Sequence, residues 1–294
     1  MKKNISTYLF GLLAVLFLCT FSSCQKDGVY KPKKQISAIY YKYTGGTKTL
    51  EEKWTWNGKL LEKIDYYDNY SKGIYVTAFY KYEKNRLVEI SRNSLVLKFL
   101  YEGNKLKKIE GWNESLLYLE VKVTHTKNKI TTLDFTEYYD EYDDYKSEKN
   151  KMVAQAFRGV LPESTCENLS NIFEKRSKNN AKAFYHYQID YTYDGNNIKE
   201  EKYTYPEDGY EIIYTYKYDK EQNPFYNLLY GGHSYSDFAF SKNNITYSTS
   251  IDSDGDIYEA EMLYTYEKGY PIEVTYKNIT SGYIGGTTYY EYVK

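Results

Sequence analysis

The chain is poor in the residues that staple, kink or fill an oily core. Among 294 residues there are 3 Cys, 5 Pro and 3 Met. Cys19 and Cys24 fall within or at the end of an apolar leader, so Cys166 is the one thiol left to the folded part. Neither an intrachain disulfide nor a Cys-based metal site is then available, and Cys166 reads as a small buried apolar residue. A basic excess is also missing. The 39 Lys and Arg face 40 Asp and Glu, and loss of Lys2 and Lys3 with the leader makes the balance more acidic. Nucleic acid, which needs a basic footprint, is therefore excluded as a partner. The sequence has no Gly-x-Ser-x-Gly elbow, phosphate loop or His-x-x-x-His pair, and His125, His186 and His233 stand apart. Accordingly no catalytic residue, metal ligand or cofactor is expected. Many carboxylates are present, but nothing singles out two of them as a glycosidase pair.

Aromatic residues are what the chain has in quantity: 40 Tyr and 12 Phe. Tyr suits a pleated surface because its ring packs while its hydroxyl stays hydrated. The aromatics recur in one unit, as in Phe99-Leu-Tyr101-Glu-Gly-Asn-Lys-Leu106-Lys-Lys-Ile109. Two aromatics flank one residue, a Gly turn follows, then an apolar pair spaced three apart. Trp54/Trp56, Tyr80/Tyr82, Tyr191/Tyr193, Tyr216/Tyr218, Tyr264/Tyr266 and Tyr290/Tyr292 repeat the aromatic half, while Leu61/Ile64, Leu87/Ile90 and Ile130/Leu133 repeat the apolar half. A period in the twenties equals two strands and two turns, so each copy predicts a β-hairpin. Eight or nine copies predict an all-β antiparallel meander of about 14–18 strands, too many for an open sheet, which closes into a barrel to remove its edges. The apolar pair poses a question. Residues three apart point to opposite faces of a straight strand, so either a bulge intervenes or both faces are covered.

Several stretches depart from the repeat. Met1-Lys-Lys3 followed by the short apolar run Leu9–Phe21 predicts a cleaved export signal over residues 1–23. Phe21-Ser-Ser-Cys24 resembles the lipobox of bacterial lipoproteins, which implies acylation (palmitate) at Cys24 and a firm membrane anchor. Gln25 in place of Asp implies the outer membrane, and Gln25-Lys-Asp27 resembles a surface-export signal. Residues 24–35 then read as lipidated Cys and tether, and 36–294 as one barrel domain. Residues 137–183 interrupt it: an acidic run, Glu137–Asp144, precedes helical spacing over Lys151–Val160 and Glu163–Lys178, which predicts a short helical insertion. The acidic run reads as a solvated loop face.

The unit resembles the YD-type repeats of bacterial surface proteins. More closely, Tyr216-Lys-Tyr-Asp219 leading to Asn223-Pro-Phe-Tyr-Asn227, with Ser241-Lys-Asn-Asn-Ile-Thr246, resembles Bacteroidota lipoproteins with a porin-like β-barrel domain. That resemblance implies a fold and an outer-membrane location and carries no catalytic residue. Ile198–Tyr205 has charges on both alternating faces, and a Lys at a bilayer midplane costs about 2–4 kcal/mol, so the barrel is expected to be soluble rather than inserted.

Asp252-Ser-Asp-Gly-Asp256 opens like a calcium loop, but Ile257 and Leu263 occupy the Gly and Glu positions of an EF-hand, which favours an Asp-Gly hairpin turn. Trp54, Trp56 and Trp112 are candidates for a sugar-stacking platform, with sheet packing as the competing role for the first two. The leading function is a non-enzymatic binding or structural envelope lipoprotein, a monomer whose partner is a glycan or an envelope protein. A glycan-processing enzyme or glycan-capturing accessory protein is the alternative.

Overall fold

The computed structural model describes residues 26–67, 73–138, 184–229 and 240–294. Sixteen antiparallel strands form one closed barrel, each pairing with its sequence neighbours. They are β1 (Ile36–Lys42), β2 (Thr49–Asn57), β3 (Leu60–Tyr67), β4 (Ile74–Glu83), β5 (Arg86–Arg92), β6 (Leu95–Glu102), β7 (Lys105–Asn113) and β8 (Leu116–Thr126) in the first half. The second half comprises β9 (Lys129–Tyr138), β10 (Phe184–Asp194), β11 (Asn197–Tyr205), β12 (Tyr210–Gln222), β13 (Asn243–Asp252), β14 (Ile257–Glu267), β15 (Tyr270–Asn278) and β16 (Ile284–Tyr292). The β1–β16 pairing, with Ile39 opposite Tyr290, closes the circle, so the expected meander and its closure are both present.

The three-residue apolar spacing is resolved by a bulge. Leu100 pairs with Lys108 but Tyr101 pairs with Leu106, so Lys107 is the extra residue and both Leu106 and Ile109 point inward, buried. The same skip falls at Glu62, Val88, Thr131, Lys199 and Ile272. All these bulges lie just after the turns at one end of the barrel. One consequence corrects the face assignment for Ile198–Tyr205. The skip at Lys199 puts Ile198 on the same inward face as Glu201, Tyr203 and Tyr205, all buried.

Inside, the barrel is filled by one continuous apolar cluster drawn from all around the wall. Phe135 stacks on Tyr187 with ring centroids 4.4 Å apart, Tyr187 lies 5.8 Å from Tyr205, and Tyr203 meets Tyr214 edge-on at 5.3 Å. Outside, the wall carries charge, with exposed apolar residues such as Phe79, Leu100, Leu263 and Tyr276 set among it. Lys63 reaches Asp65 at 2.8 Å, Lys108 reaches Glu110 at 2.9 Å, and Lys202 reaches Glu211 at 2.8 Å. Burial on that wall would by itself raise Asp65, but hydrogen bonds from Lys63 and Thr77 outweigh it and hold the carboxyl below its ordinary range.

Two expectations on domain bounds meet the structure unevenly. Residues 26–35 do not form a free tether: they pack across the bulged end of the barrel, as described below. Glu137 and Tyr138 are the end of β9 rather than part of an insertion. Residues 139–183, with the expected helices, most of the acidic run and Cys166, lie outside the described residues, as do Cys24, the leader and His233.

The bulge yields a direct test. Deleting Lys107 straightens β7 and turns Leu106 or Ile109 outward, with an expected loss of about 2–5 kcal/mol, comparable to a Leu-to-Ala truncation. Lys107→Ala keeps the extra residue and is expected to change stability by less than about 0.5 kcal/mol. Urea midpoints of the two variants separate these outcomes.

Candidate functional site

The bulged end is where the repeat meets the chain's non-repeating segments. Neighbouring hairpins separate there: β5 pairs with β6 no farther than Glu89 opposite Lys98. The N–H and carbonyl of Leu87 therefore face a gap, and a buried backbone group without a partner is costly. The second aromatic of the next hairpin fills the need, since the Tyr101 hydroxyl donates to the Leu87 carbonyl at 2.6 Å. Tyr193 donates to Ile130 at 2.7 Å, Tyr218 to Ile198 at 2.6 Å and Tyr292 to Pro271 at 2.7 Å. Trp56 does the same with its indole N–H, to Ile36 at 2.6 Å. Burial pushes the hydroxyls of Tyr101, Tyr193 and Tyr292 well above the ordinary tyrosine range, so they remain donors.

The N–H groups in these gaps are met from elsewhere. The strap, residues 26–35, places the Gly28 carbonyl 2.9 Å from the Leu87 nitrogen. Asp27 accepts from the Leu106 nitrogen at 2.8 Å through the same carboxylate oxygen that lies 2.7 Å from His125 Nε2. His125 occupies in β8 the position that Tyr101 occupies in β6, and here the side chain in that position meets Asp27 of the strap. Gly28 has φ +72°, and a Cβ there would lie 2.0 Å from the Tyr101 hydroxyl, so both conformation and space require glycine. A second segment, the plug Asn223–Leu229 between β12 and β13, completes the cover. Tyr30 of the strap donates to the Pro224 carbonyl at 2.6 Å, and the Phe225 ring lies 6.2 Å from Trp54 and 5.9 Å from Tyr290. Between strap and plug a cavity of about 180 Å³ remains, edged by Asp27, Lys129, Tyr193, Tyr226, Asn227 and Phe240.

The three tryptophans do not make one platform. Trp54 is 4% exposed and stacks inside the barrel on Trp56, 6.1 Å away, which itself contacts Tyr30. Trp112 lies apart on the outer wall, its indole N–H on Glu110 at 3.2 Å and the Lys98 ammonium 5.1 Å from its ring. The repeat makes Trp54 and Trp56 packing residues, as their place in the aromatic pair implies. Asp252–Asp256 forms a hairpin turn between β13 and β14. The Asp252 carboxylate accepts from the nitrogens of Asp254 and Asp256, at 3.0 and 2.9 Å, and Gly255 takes φ +84°. His186 sits on the outer wall, 2.7 Å from Asp134.

One buried group was not signalled by any motif. Glu201 points inward from β11, is 1% exposed, and accepts a hydrogen bond from Tyr203 at 2.9 Å. Burial raises its carboxyl to about 7, against the pull of hydrogen bonds from Tyr203 and Tyr216. The alternation of β11 would have marked it once the bulge was placed.

No protein-family model matches the chain, and no curated protein matches it. Among solved structures, a porin-like protein from Bacteroides vulgatus aligns with a TM-score of 0.51 at 12% identity, over 89% of this chain and 99% of that one. A porin-like protein from Bacteroides uniformis aligns with a TM-score of 0.49 at 11% identity, over 91% of this chain and 100% of that one. The first likeness establishes a shared fold, in agreement with the porin-like barrel expected from the repeat.

The buried Glu201 predicts a pH dependence of stability. Its folded pKa lies above the unfolded one, so its neutral form favours the fold and that advantage is lost as pH rises. Stability is expected to fall by about 3 kcal/mol between pH 4.5 and 7 and then to level off. Glu201→Gln removes this slope and should raise the melting temperature above the parent's at pH 8. Thermal melts of both proteins from pH 4.5 to 8 check it.

Proposed function

We propose that this protein is a non-enzymatic envelope lipoprotein, a closed barrel held at the outer membrane by acylated Cys24 and acting as a binding or structural module. The observation that carries this reading is the inversion of polarity across the wall. A transmembrane barrel places apolar residues outside and water or charge inside. Here Tyr, Ile and Leu fill the interior, while Lys63, Lys108 and Lys202 stand with their carboxylate partners on the outer wall. Each lysine would cost about 2–4 kcal/mol at a bilayer midplane. A filled barrel does not conduct and a charged one does not insert, so membrane attachment falls to the lipobox-like Phe21–Cys24. Closure of β1 on β16 leaves no free edge among the described strands to recruit a second copy, which supports a monomer. The partner fitting such a module is a glycan or another envelope protein.

Detergent phase partition of cells expressing the full chain tests the anchor. The parent is expected in the detergent phase with fatty acid incorporated, and Cys24→Ala in the aqueous phase without it. Retention of Cys24→Ala in the detergent phase would show that the barrel wall itself holds the membrane and would sink this reading.

A further inference from the structure

We propose that the strap end of the barrel is a basic face that rests on a membrane surface rich in anionic headgroups, with the opposite end, acidic among the described residues, directed away. Among the described residues the two ends differ in charge. At the strap end the exposed turn lysines include Lys59, Lys84, Lys127, Lys242 and Lys268, one on each of five connections between strands, and Lys26 is exposed on the strap. Lys84, Lys127 and Lys268 take positive φ at the turn itself and are exposed there. The exposed carboxylates of those turns are Glu83, Glu102, Asp194 and Glu267, with Glu62 exposed at the bulge beyond the first. Lys31 and Lys33 of the strap add two further exposed charges of positive sign. At the far end the exposed turn charges are Glu114, Asp208, Asp254 and Asp256, countered by Lys42 and Lys48 on the β1–β2 hairpin.

The ends act independently of each other. A nine-residue strand such as β7 spans about 30 Å, and fields between exposed charges are screened within about 8 Å at physiological salt. A near-neutral chain can therefore present a basic face. The strap fixes which face meets the membrane. Asp27 is held on the barrel rim, and three residues reach at most about 11 Å, so an anchor at position 24 would tether the chain by this same end. This orientation rests on acylation of Cys24; the affinity of the basic face does not.

Vesicle sedimentation separates the two. The chain from Gln25 onward contains all sixteen described strands and carries no acyl group, and it is mixed with vesicles of phosphatidylcholine containing 0, 20 or 40% phosphatidylglycerol. Binding is expected to rise with anionic content and to fall as NaCl is raised from 50 to 500 mM. Each basic residue near an anionic surface contributes about fivefold in partition, so reversing Lys59, Lys84, Lys127 and Lys268 to Glu should weaken binding at least a hundredfold. Reversing Glu114, Asp208, Asp254 and Asp256 to Lys should not weaken it. Binding that ignores lipid charge, or that survives reversal of the strap-end lysines, overturns the proposal. Circular dichroism of each variant, and the salt titration of the unaltered chain, keep a folding defect from being mistaken for lost affinity. Failure of acylation at Cys24 would leave these vesicle results unchanged.

Discussion

The hydrogen bond from one hairpin's aromatic to the preceding hairpin's carbonyl is the contact on which this barrel depends. A bulge after each turn is needed to bring a three-spaced apolar pair onto one face, but bulges increase twist and drive hairpins apart at that end. The separation would leave backbone groups such as those of Leu87 without ladder partners. Tyr101 closes that gap with its hydroxyl while its ring packs against the core, and Tyr193, Tyr218 and Tyr292 do so at other hairpins. The two halves of the repeat are therefore one device: the apolar half creates the gap and the next aromatic half bridges it.

From that register follows the distribution of charge. With Ile198, Glu201, Tyr203 and Tyr205 all turned inward, Lys199, Glu200 and Lys202 are left to the outside. A porin-like strand count is thus combined with an interior packed as in a soluble domain. Ion pairs on the outer wall such as Lys108–Glu110 are individually worth little. Their physical role is to keep the wall hydrated.

The architecture was legible because its signal is local. Phe99-x-Tyr101, the Gly turn and Leu106-x-x-Ile109 lie within eleven residues, and repetition multiplied the evidence for strand count and closure. Plain alternation gives the wrong faces for Ile198–Tyr205 because a bulge interrupts it, and one skipped residue exchanges the faces. The packing of the strap is hidden from the sequence for a different reason. Lys26–Lys34 has the polar composition of a linker, and its contacts are remote: Asp27 meets Leu106 across 79 positions and His125 across 98. No periodicity reports such a contact. His125 looked isolated because its partner is in the strap, and Trp54 and Trp56 are explained by the repeat once their inward register is known.

The closure of β1 on β16 also sets an order in time. β1 ends at Lys42 and its partner begins at Ile284, so nearly the whole chain must be made before the two can meet. At roughly 5–20 residues per second, synthesis of the intervening residues takes about 10–50 s. Throughout that interval β1 offers an unpaired, aromatic-rich edge to any other strand in reach. Hairpins form early from neighbours, but the circle is the last thing to form, and the nascent chain needs protection until Tyr290 arrives opposite Ile39.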